Sequence, residues 1–350
     1  MPNKVIFKNK IGYFNKKILV PGDKSLSIRW VLISSICDGI SKAQNLLKSE
    51  DVLAAIQAIK KLGVKVLFNN NICKIYGVGI NGYKYKKNII INANNSGTLG
   101  RLILGLLIDT TFPIKVVGDK SLSKRDFVRI AQPLSKFGAN FQLNNNYGLP
   151  LIVRGSKNLK ATNYYENRGS AQCKSSIIFG GMKSNGRTII KAKKSRNHTE
   201  LLFKYLKIPI KIKNKGKFDF IKIEGKRKIK SFNYTIPADI SSSAFFIVLT
   251  ALSNNSKLLI KNVNINPSRT GVIKILKKMG VKITIKNQRD YKGEKVADIF
   301  VKSSKNIKAI NCPSSLNSSA IDEFLIIFLV ASKAKGVSYF KNLSELNQKE

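Results

Sequence analysis

Five times along this chain the same phrase recurs: a small-polar opening, an apolar helical run, a short strand, a second helix and a Gly-Val-Lys-like exit. The openings begin near Pro21, Asn95, Glu166, Ile236 and Cys312, at spacings of 74, 71, 70 and 76 residues. Apolar residues three or four apart predict first helices over Ser25–Cys37, Thr98–Ile108, Ala171–Met182, Ser241–Leu252 and Ala320–Ser332. Second helices are expected over Val52–Leu62, Phe127–Phe137, Thr199–Leu206 and Val272–Met279, each unit reading as poor in strand at its entry. The exits Lys61-Leu62-Gly63-Val64, Lys136-Phe137-Gly138-Ala139 and Lys278-Met279-Gly280-Val281 echo one another. A period near 70 residues is too long for a solenoid and suits domains assembled from repeated α/β units. The fifth phrase reaches Glu350 just as its second helix is due, so an unfinished fifth unit is the expectation.

Charge narrows the partners. Lys and Arg number 63 against 19 Asp and Glu, a net charge of +44, which suits polyanions, membrane surfaces or anionic small molecules. The cations are scattered without a long basic block or evident aromatic interleaving, which favours small anionic substrates over nucleic acid. Cys37, Cys73, Cys173 and Cys312 form no C-x-x-C pair and read as buried free thiols. With His198 the sole histidine, a His/Cys metal site has almost no ligands to draw on. No signal core opens the chain, and its longest apolar run, Phe324–Ser332, falls far short of a membrane span. A soluble, cytoplasmic protein without membrane partner or metal is expected, and a break between domains near Phe232–Pro237.

Chemistry concentrates at the helix starts. The first opening, Pro21-Gly22-Asp23-Lys24-Ser25-Leu26-Ser27-Ile28-Arg29, gathers two cations and a hydroxyl where unpaired N–H groups and the helix dipole favour phosphate or carboxylate. Asn95-Ser96-Gly97-Thr98-Leu99-Gly100-Arg101 offers a glycine that permits close backbone approach. Gly118–Asp126 brings Arg125 to a second helix start, and Gly169-Ser170-Ala171-Gln172-Cys173-Lys174-Ser175 and Ser195-Arg196-Asn197-His198-Thr199-Glu200 follow. Taken singly, each also fits a solvated first turn, and His198 fits a capping or structural role as well as a general base. Ile321-Asp322-Glu323, set within an apolar helix, places carboxylates where burial can raise a pKa for acid/base work.

In this order and at these gaps, P-G-D-K-S-x-S-x-R, N-S-G-T-x-x-R, G-D-x-S-L-x-K-R, S-A-Q-x-K-S, S-R-x-H-T-E and I-D-E resemble the 5-enolpyruvylshikimate-3-phosphate synthase family, in wording closest to its class II. The resemblance runs from about Ile18 to Glu350. It implies an α/β (α+β) fold of two lobes, each an inside-out barrel of three βαβαββ units closing over substrates, with five of six units visible here. The upper lobe would be residues 20–234, the other 1–19 plus 235–350. The implied reaction moves the enolpyruvyl group of phosphoenolpyruvate to the 5-hydroxyl of shikimate 3-phosphate, without cofactor, in a monomer.

By motif, the resemblance implies that Lys24, Ser25, Arg29, Ser170, Ala171, Gln172, Ser195, Arg196, Asp322 and Lys349 contact shikimate 3-phosphate. It implies that Lys24, Gly97, Arg125 and Gln172 line the phosphoenolpyruvate subsite. Asp322 would accept the proton of the attacking hydroxyl, Glu350 would act at the methylene carbon, and Lys24 would serve both substrates. Later arginine segments of the family pattern lie beyond Glu350, Asn197 stands where Asp is usual, and Ala238 where Gly is common. The chain is therefore expected to turn over weakly or not at all. The sister transferase acting on a UDP-amino sugar carries a loop cysteine that Lys120–Asp126 lacks. A decayed non-catalytic relative and a basic nucleic-acid-binding protein remain the alternatives.

Overall fold

One sheet pattern is built four times. In the computed structural model, which describes residues 11–69, 71–225, 228–344 and 346, a short entry strand runs parallel to the strand that follows the first helix. That second strand pairs antiparallel with the fourth, which pairs antiparallel with the third. Ile90–Asn92, Ile114–Val117, Gly148–Arg154 and Asn140–Asn144 make one such sheet in spatial order. Asn163–Glu166, Arg187–Lys193, Phe218–Glu224 and Ile210–Lys215 make another. The period thus marks βαβαββ units, and the entry strands are what the sequence reading missed. They span only three to five residues in these four sheets, too few to display an alternation.

Two of the units exchange these strands. Asn15–Leu19, just before the first helix, pairs with Lys257–Asn264, while Asn233–Thr235 pairs with Asp38–Gln44. The chain accordingly divides into two compact units. One comprises Gly22–Ile236 with Lys292–Glu294; the other takes the described residues before Gly22, then Pro237–Tyr291 and those from Lys295 onward.

The first helices occupy Lys24–Ser35, Gly97–Leu106, Ala171–Lys183 and Ile240–Leu252. Their small-polar openings act as caps: Asp23 accepts from Leu26 N (2.9 Å), Ser96 from Leu99 N (3.2 Å), Ser170 from Cys173 N (3.2 Å) and Asp239 from Ser241 N (2.7 Å). In the Gly22–Ile236 unit these helices are buried nearly all round. The second and third meet so closely that a Cβ on Gly105 would lie 2.2 Å from the Ser176 carbonyl oxygen. Second helices occupy Glu50–Lys61, Val128–Ser135, His198–Tyr205 and Gly271–Lys278. Their exit glycines Gly63, Gly138 and Gly280 take φ of +87°, +110° and +91°, ending each helix in the left-handed turn that glycine adopts without strain. In the third repeat Lys207 fills that place with φ +56°, which explains why no exit phrase is legible there.

The fifth repeat departs from expectation. Ala320–Ser332 is not one helix: Asn317–Ala320 ends a short one, and Phe324–Ala331 starts another. Ile321, Asp322 and Glu323 form the turn joining them, so Asp322 and Glu323 are not inside an apolar helix. A two-stranded parallel pair, Asn311–Cys312 with Tyr339–Phe340, is what this repeat contributes among the described residues.

Candidate active site

In the Gly22–Ile236 unit, two helix starts are tied together by side chains. Gln172, in the first turn of Ala171–Lys183, donates through Nε2 to Thr98 Oγ1 (3.0 Å) and accepts from Arg101 Nη1 (2.5 Å). Thr98 and Arg101 belong to the Gly97–Leu106 helix. A Cβ on Gly97 would lie 3.2 Å from Arg125 Nη1 and 3.5 Å from Arg101 Nη1, so glycine here lets two guanidinium groups approach the backbone. Gly97, Arg125 and Gln172, named for phosphoenolpyruvate, are thus set around one pair of helix N-termini. Arg101 was not named, and it is the side chain that links them. Its place four residues after Gly97, one helical turn along the same motif, is the signal that could have found it.

Cations crowd this spot. Burial, with Arg129 and Arg125 beside it, lowers the Arg101 pKa to about 10, and its guanidinium lies 5.5 Å above the Phe127 ring. Arg101 Nε and Arg129 Nε are buried without a hydrogen-bond partner among the described residues. At neutral pH Arg101 remains charged, so the cluster presents several positive groups with donors to spare, an arrangement suited to a carboxylate or phosphate.

The neighbouring loop is shaped by Glu166, another residue not named from sequence. Its buried carboxylate accepts from the backbone N–H groups of Arg168 (3.1 Å), Gly169 (2.8 Å) and Ser170 (3.1 Å), fixing the entry to Ser170, Ala171 and Gln172. Arg168 reaches Asp126 at 2.9 Å, binding that loop to the residue after Arg125.

Lys24 and Ser25 open the first helix. Lys24 is half-exposed, 3.5 Å from Asp51. Arg29 faces inward: Nε donates to Thr199 Oγ1 (2.8 Å), Nη2 to Ser175 Oγ (3.0 Å) and Nη1 to the Ser25 carbonyl (3.0 Å). Burial lowers its pKa to about 10, opposed by Glu200 and Asp23. Lys174, wholly buried, pairs with Glu200 at 2.7 Å and lies 3.9 Å from Asp219. His198 is buried at the start of its helix with Nδ1 2.7 Å from Glu294, the arrangement of a structural histidine. Ser195, half-buried beside Arg196, has a hydroxyl that meets no protein partner among the described residues.

The other unit holds its own charged cluster. Asp239 caps Ile240–Leu252, and buried Arg269 donates to Ser241 Oγ at 2.6 Å, lying 4.0 Å from Asp239 and 3.7 Å from Glu323. Ser241 in turn donates to Glu323. Asp322 is exposed and Glu323 buried, so the I-D-E turn sends neighbouring carboxylates to opposite environments. Lys349 and Glu350, named for substrate and proton transfer, lie outside the described residues. Among those described, no group of three His, Cys, Asp or Glu is arranged to hold a metal, and no helix is long and apolar enough to cross a membrane.

Comparison with known proteins gives this geometry a family. The model of EPSP synthase (3-phosphoshikimate 1-carboxyvinyltransferase) matches residues 8–350. The chain belongs to the EPSP synthase family. It is 40% identical over 332 residues to a 3-phosphoshikimate 1-carboxyvinyltransferase of Ruthia magnifica subsp. Calyptogena magnifica, covering 95% of this chain and 75% of that protein. A relative of that name from Hydrogenovibrio crunogenus is 37% identical, with 100% and 79% covered. The solved EPSP synthase of Acinetobacter baumannii superposes with a TM-score of 0.86 at 37% identity, over 97% of this chain and 76% of that one. The enolpyruvyl transferase NikO of Streptomyces tendae, at 11% identity and a TM-score of 0.70, shares the fold.

Proposed function

We propose that this family member carries out the reaction its relatives are named for, transferring the enolpyruvyl group of phosphoenolpyruvate to the 5-hydroxyl of shikimate 3-phosphate with release of phosphate. The observation that carries the reading is the Thr98–Gln172–Arg101 link with Arg125 beside Gly97. It sets two helix N-termini and several cations around a space suited to a small polyanion. The hydroxyl oxygen bonds to the enol carbon as its proton departs and the methylene carbon gains one. The tetrahedral adduct then expels phosphate as the new methyl group loses a proton. Two negatively charged substrates need fixed positive groups, because clustered anions would otherwise repel.

In this reading Lys24, Ser25, Arg29, Ser170, Ala171, Gln172, Ser195, Arg196, Asp322 and Lys349 serve shikimate 3-phosphate, and Lys24, Gly97, Arg125 and Gln172 serve phosphoenolpyruvate. Asp322 takes the hydroxyl proton, Glu350 acts at the methylene carbon, and Lys24 assists both steps. Arg29 also holds Ser25, Ser175 and Thr199 through three of its five N–H donors. Two lobes, residues 20–234 and 1–19 with 235–350, complete the reading. So does a single-copy enzyme in the cytoplasm, where the four buried free thiols fit a reducing compartment.

Calorimetric titration of the 350-residue chain with shikimate 3-phosphate is the test. Saturable binding is expected, weakened roughly tenfold or more by Lys24→Ala through loss of a charge-assisted contact. Absence of binding, or equal binding by the variant, removes the assignment.

A further inference from the structure

Along the chain the aromatics and cations of the third repeat stand apart, and strand pairing interleaves them. In the sheet of Asn163–Glu166, Arg187–Lys193, Phe218–Glu224 and Ile210–Lys215, alternate side chains pack inward, with Ile190, Ala192, Ile221 and Ile223 fully buried. The other set faces outward, and the register arranges it in rows. Tyr165, Lys191, Phe220 and Lys213 stand side by side across all four strands. Lys193, Phe218 and Lys215 make the next row; Asn163, Ile189, Lys222 and Lys211 make the row on the other side. Tyr165 is 48% exposed and its ring centre lies 5.9 Å from that of half-buried Phe218. The Lys191 ammonium sits 4.9 Å from the Tyr165 ring centre, 5.0 Å from that of Phe218 and 5.9 Å from that of Phe220.

These cations need a reason beyond fold and composition. Ile210–Lys215 is an edge strand, where lysine guards against pairing with another chain, and that accounts for Lys211, Lys213 and Lys215. It does not account for Lys191, Lys193 and Lys222, which stand on the two inner strands. Nor does the basic composition load every sheet alike. The four strands of the second-repeat sheet hold two cations, Lys115 and Arg154, whereas those of this sheet hold seven, all outward. The outward acid among them, Glu224, is held by Arg187 at 3.0 Å. At the Arg187 end a groove of about 410 Å³ carries the positive track on past Lys204 and Lys207.

We propose that the outward face of this sheet binds a single-stranded polynucleotide, its bases stacking on Tyr165, Phe218 and Phe220 and its phosphates meeting the lysines between them. A face that alternates ring and cation matches a chain that alternates planar base and phosphate. Outward side chains recur about every 7 Å along a strand and about every 4.8 Å across the sheet, so successive bases can meet neighbouring rings. Acidic polypeptides and anionic lipid surfaces engage cations too, yet offer no planar groups to stack on the rings. A double helix keeps its base faces covered, which makes the strand a single one. The face is separate from the helix starts assigned to the small anionic substrates, and the proposal is independent of the reaction.

The probe is a fluorophore-labelled oligothymidylate of about twelve nucleotides, within the site sizes of single-strand platforms. Titrated with the full 350-residue chain at low salt, it should show a saturable rise in anisotropy. Log affinity should fall against log salt with a slope of about 0.7 for each phosphate engaged. Lys213→Gln with Lys222→Gln should weaken binding and flatten that slope by about 1.4. Tyr165→Ser should weaken binding roughly fivefold or more with the slope unchanged, as loss of one stacked base does. Phe220→Leu, which keeps apolar bulk and removes the ring, should do the same. Lys115→Gln, on the second-repeat sheet, should alter neither affinity nor slope. Tyr165, Lys213 and Lys222 are exposed, so those variants retain their fold, which circular dichroism verifies. Absence of binding overturns the proposal, as does affinity indifferent to both ring variants, which would leave charge alone at work. Equal affinity for the matching duplex, for polyaspartate or for phosphatidylserine vesicles overturns it too and gives the face to that class of polyanion.

Discussion

Arg101 donates to Gln172 across 71 positions of sequence, joining two helices from successive repeats. The bond sets the orientation of the Gln172 amide, whose nitrogen then reaches Thr98. Arg101→Lys keeps the charge but loses the fork that spans this gap. Phosphoenolpyruvate affinity should fall about tenfold, in line with one charge-assisted hydrogen bond, while the urea midpoint shifts little. Equal affinity in titrations of both proteins would show that Gln172 needs no such support.

Gly97 is a matter of room. A methyl group there would sit 3.2 Å from Arg125 Nη1, which must retreat by a few tenths of an ångström, and 3.5 Å from Arg101 Nη1, an ordinary contact. For Gly97→Ala the Michaelis constant for phosphoenolpyruvate should rise by about tenfold, less than the ~100-fold a full ångström brings. Shikimate 3-phosphate binding should be unaltered. A variant that loses both affinities alike would place Gly97 in general folding of the site instead.

Asp322 and Glu323 are neighbours with opposite expected phenotypes. Glu323 is buried against Ser241 and Arg269, so Glu323→Ala removes the nearer of the two carboxylates beside Arg269, Asp239 lying at 4.0 Å. Breaking such a buried pair costs about 3–5 kcal/mol, measurable by urea unfolding. Asp322 is exposed, and Asp322→Asn should change stability by less than about 0.5 kcal/mol. Phosphate release should drop on the order of a hundredfold or more through loss of the proton acceptor. Two variants with the same stability and the same rate would dissolve the distinction.

Alkaline pH should unfold this protein through its thiols. Burial raises Cys37, Cys73 and Cys173 from 9.0 to about 12. Above pH 9 the unfolded chain releases these protons while the folded one keeps them. Their contribution is therefore full below pH 9 and is lost as pH rises toward 12. Between about pH 8 and pH 10.5 the urea midpoint should fall. The triple variant Cys37→Ala, Cys73→Ala, Cys173→Ala should fall less steeply from its own starting value. Parallel slopes would assign alkaline sensitivity to other groups, Tyr83 among them, which burial also raises.

The parts legible in sequence were those whose physics is local. Ser25–Cys37 and Ala171–Met182 approximate the helices Lys24–Ser35 and Ala171–Lys183, because capping residues and apolar spacing act within a few positions. Short entry strands escaped the residue pattern, and the joining of residues 1–19 to those beyond 235 came from the resemblance alone, since parallel pairing is decided by partners hundreds of residues away. At the site, Gly97, Arg125 and Gln172 could be named from motifs. Arg101 closes the N-S-G-T-x-x-R motif and Glu323 the I-D-E motif, yet their partners, like those of Glu166, lie far along the chain where no spacing reveals them. The same limit hid the helix break at Ile321–Glu323, where apolar residues continue straight through the turn.

Lys207 offers a test of how far the repeat dictates the chain. Gly63, Gly138 and Gly280 end their second helices at positive φ, and Lys207 does so at +56° with its N–H bonded to Lys204 O at 3.1 Å. A side chain in that region costs roughly 1–2 kcal/mol, which glycine avoids while giving back part through greater freedom in the unfolded state. Lys207→Gly should therefore stabilise the protein by about 0.5–1 kcal/mol. It also removes one positive charge from a chain carrying a net +44, which works in the same direction. Lys207→Ala separates the two effects, since it discharges the position without relieving the backbone. A midpoint for the glycine variant no higher than that of the alanine variant would mean the left-handed turn at Lys207 carries no strain.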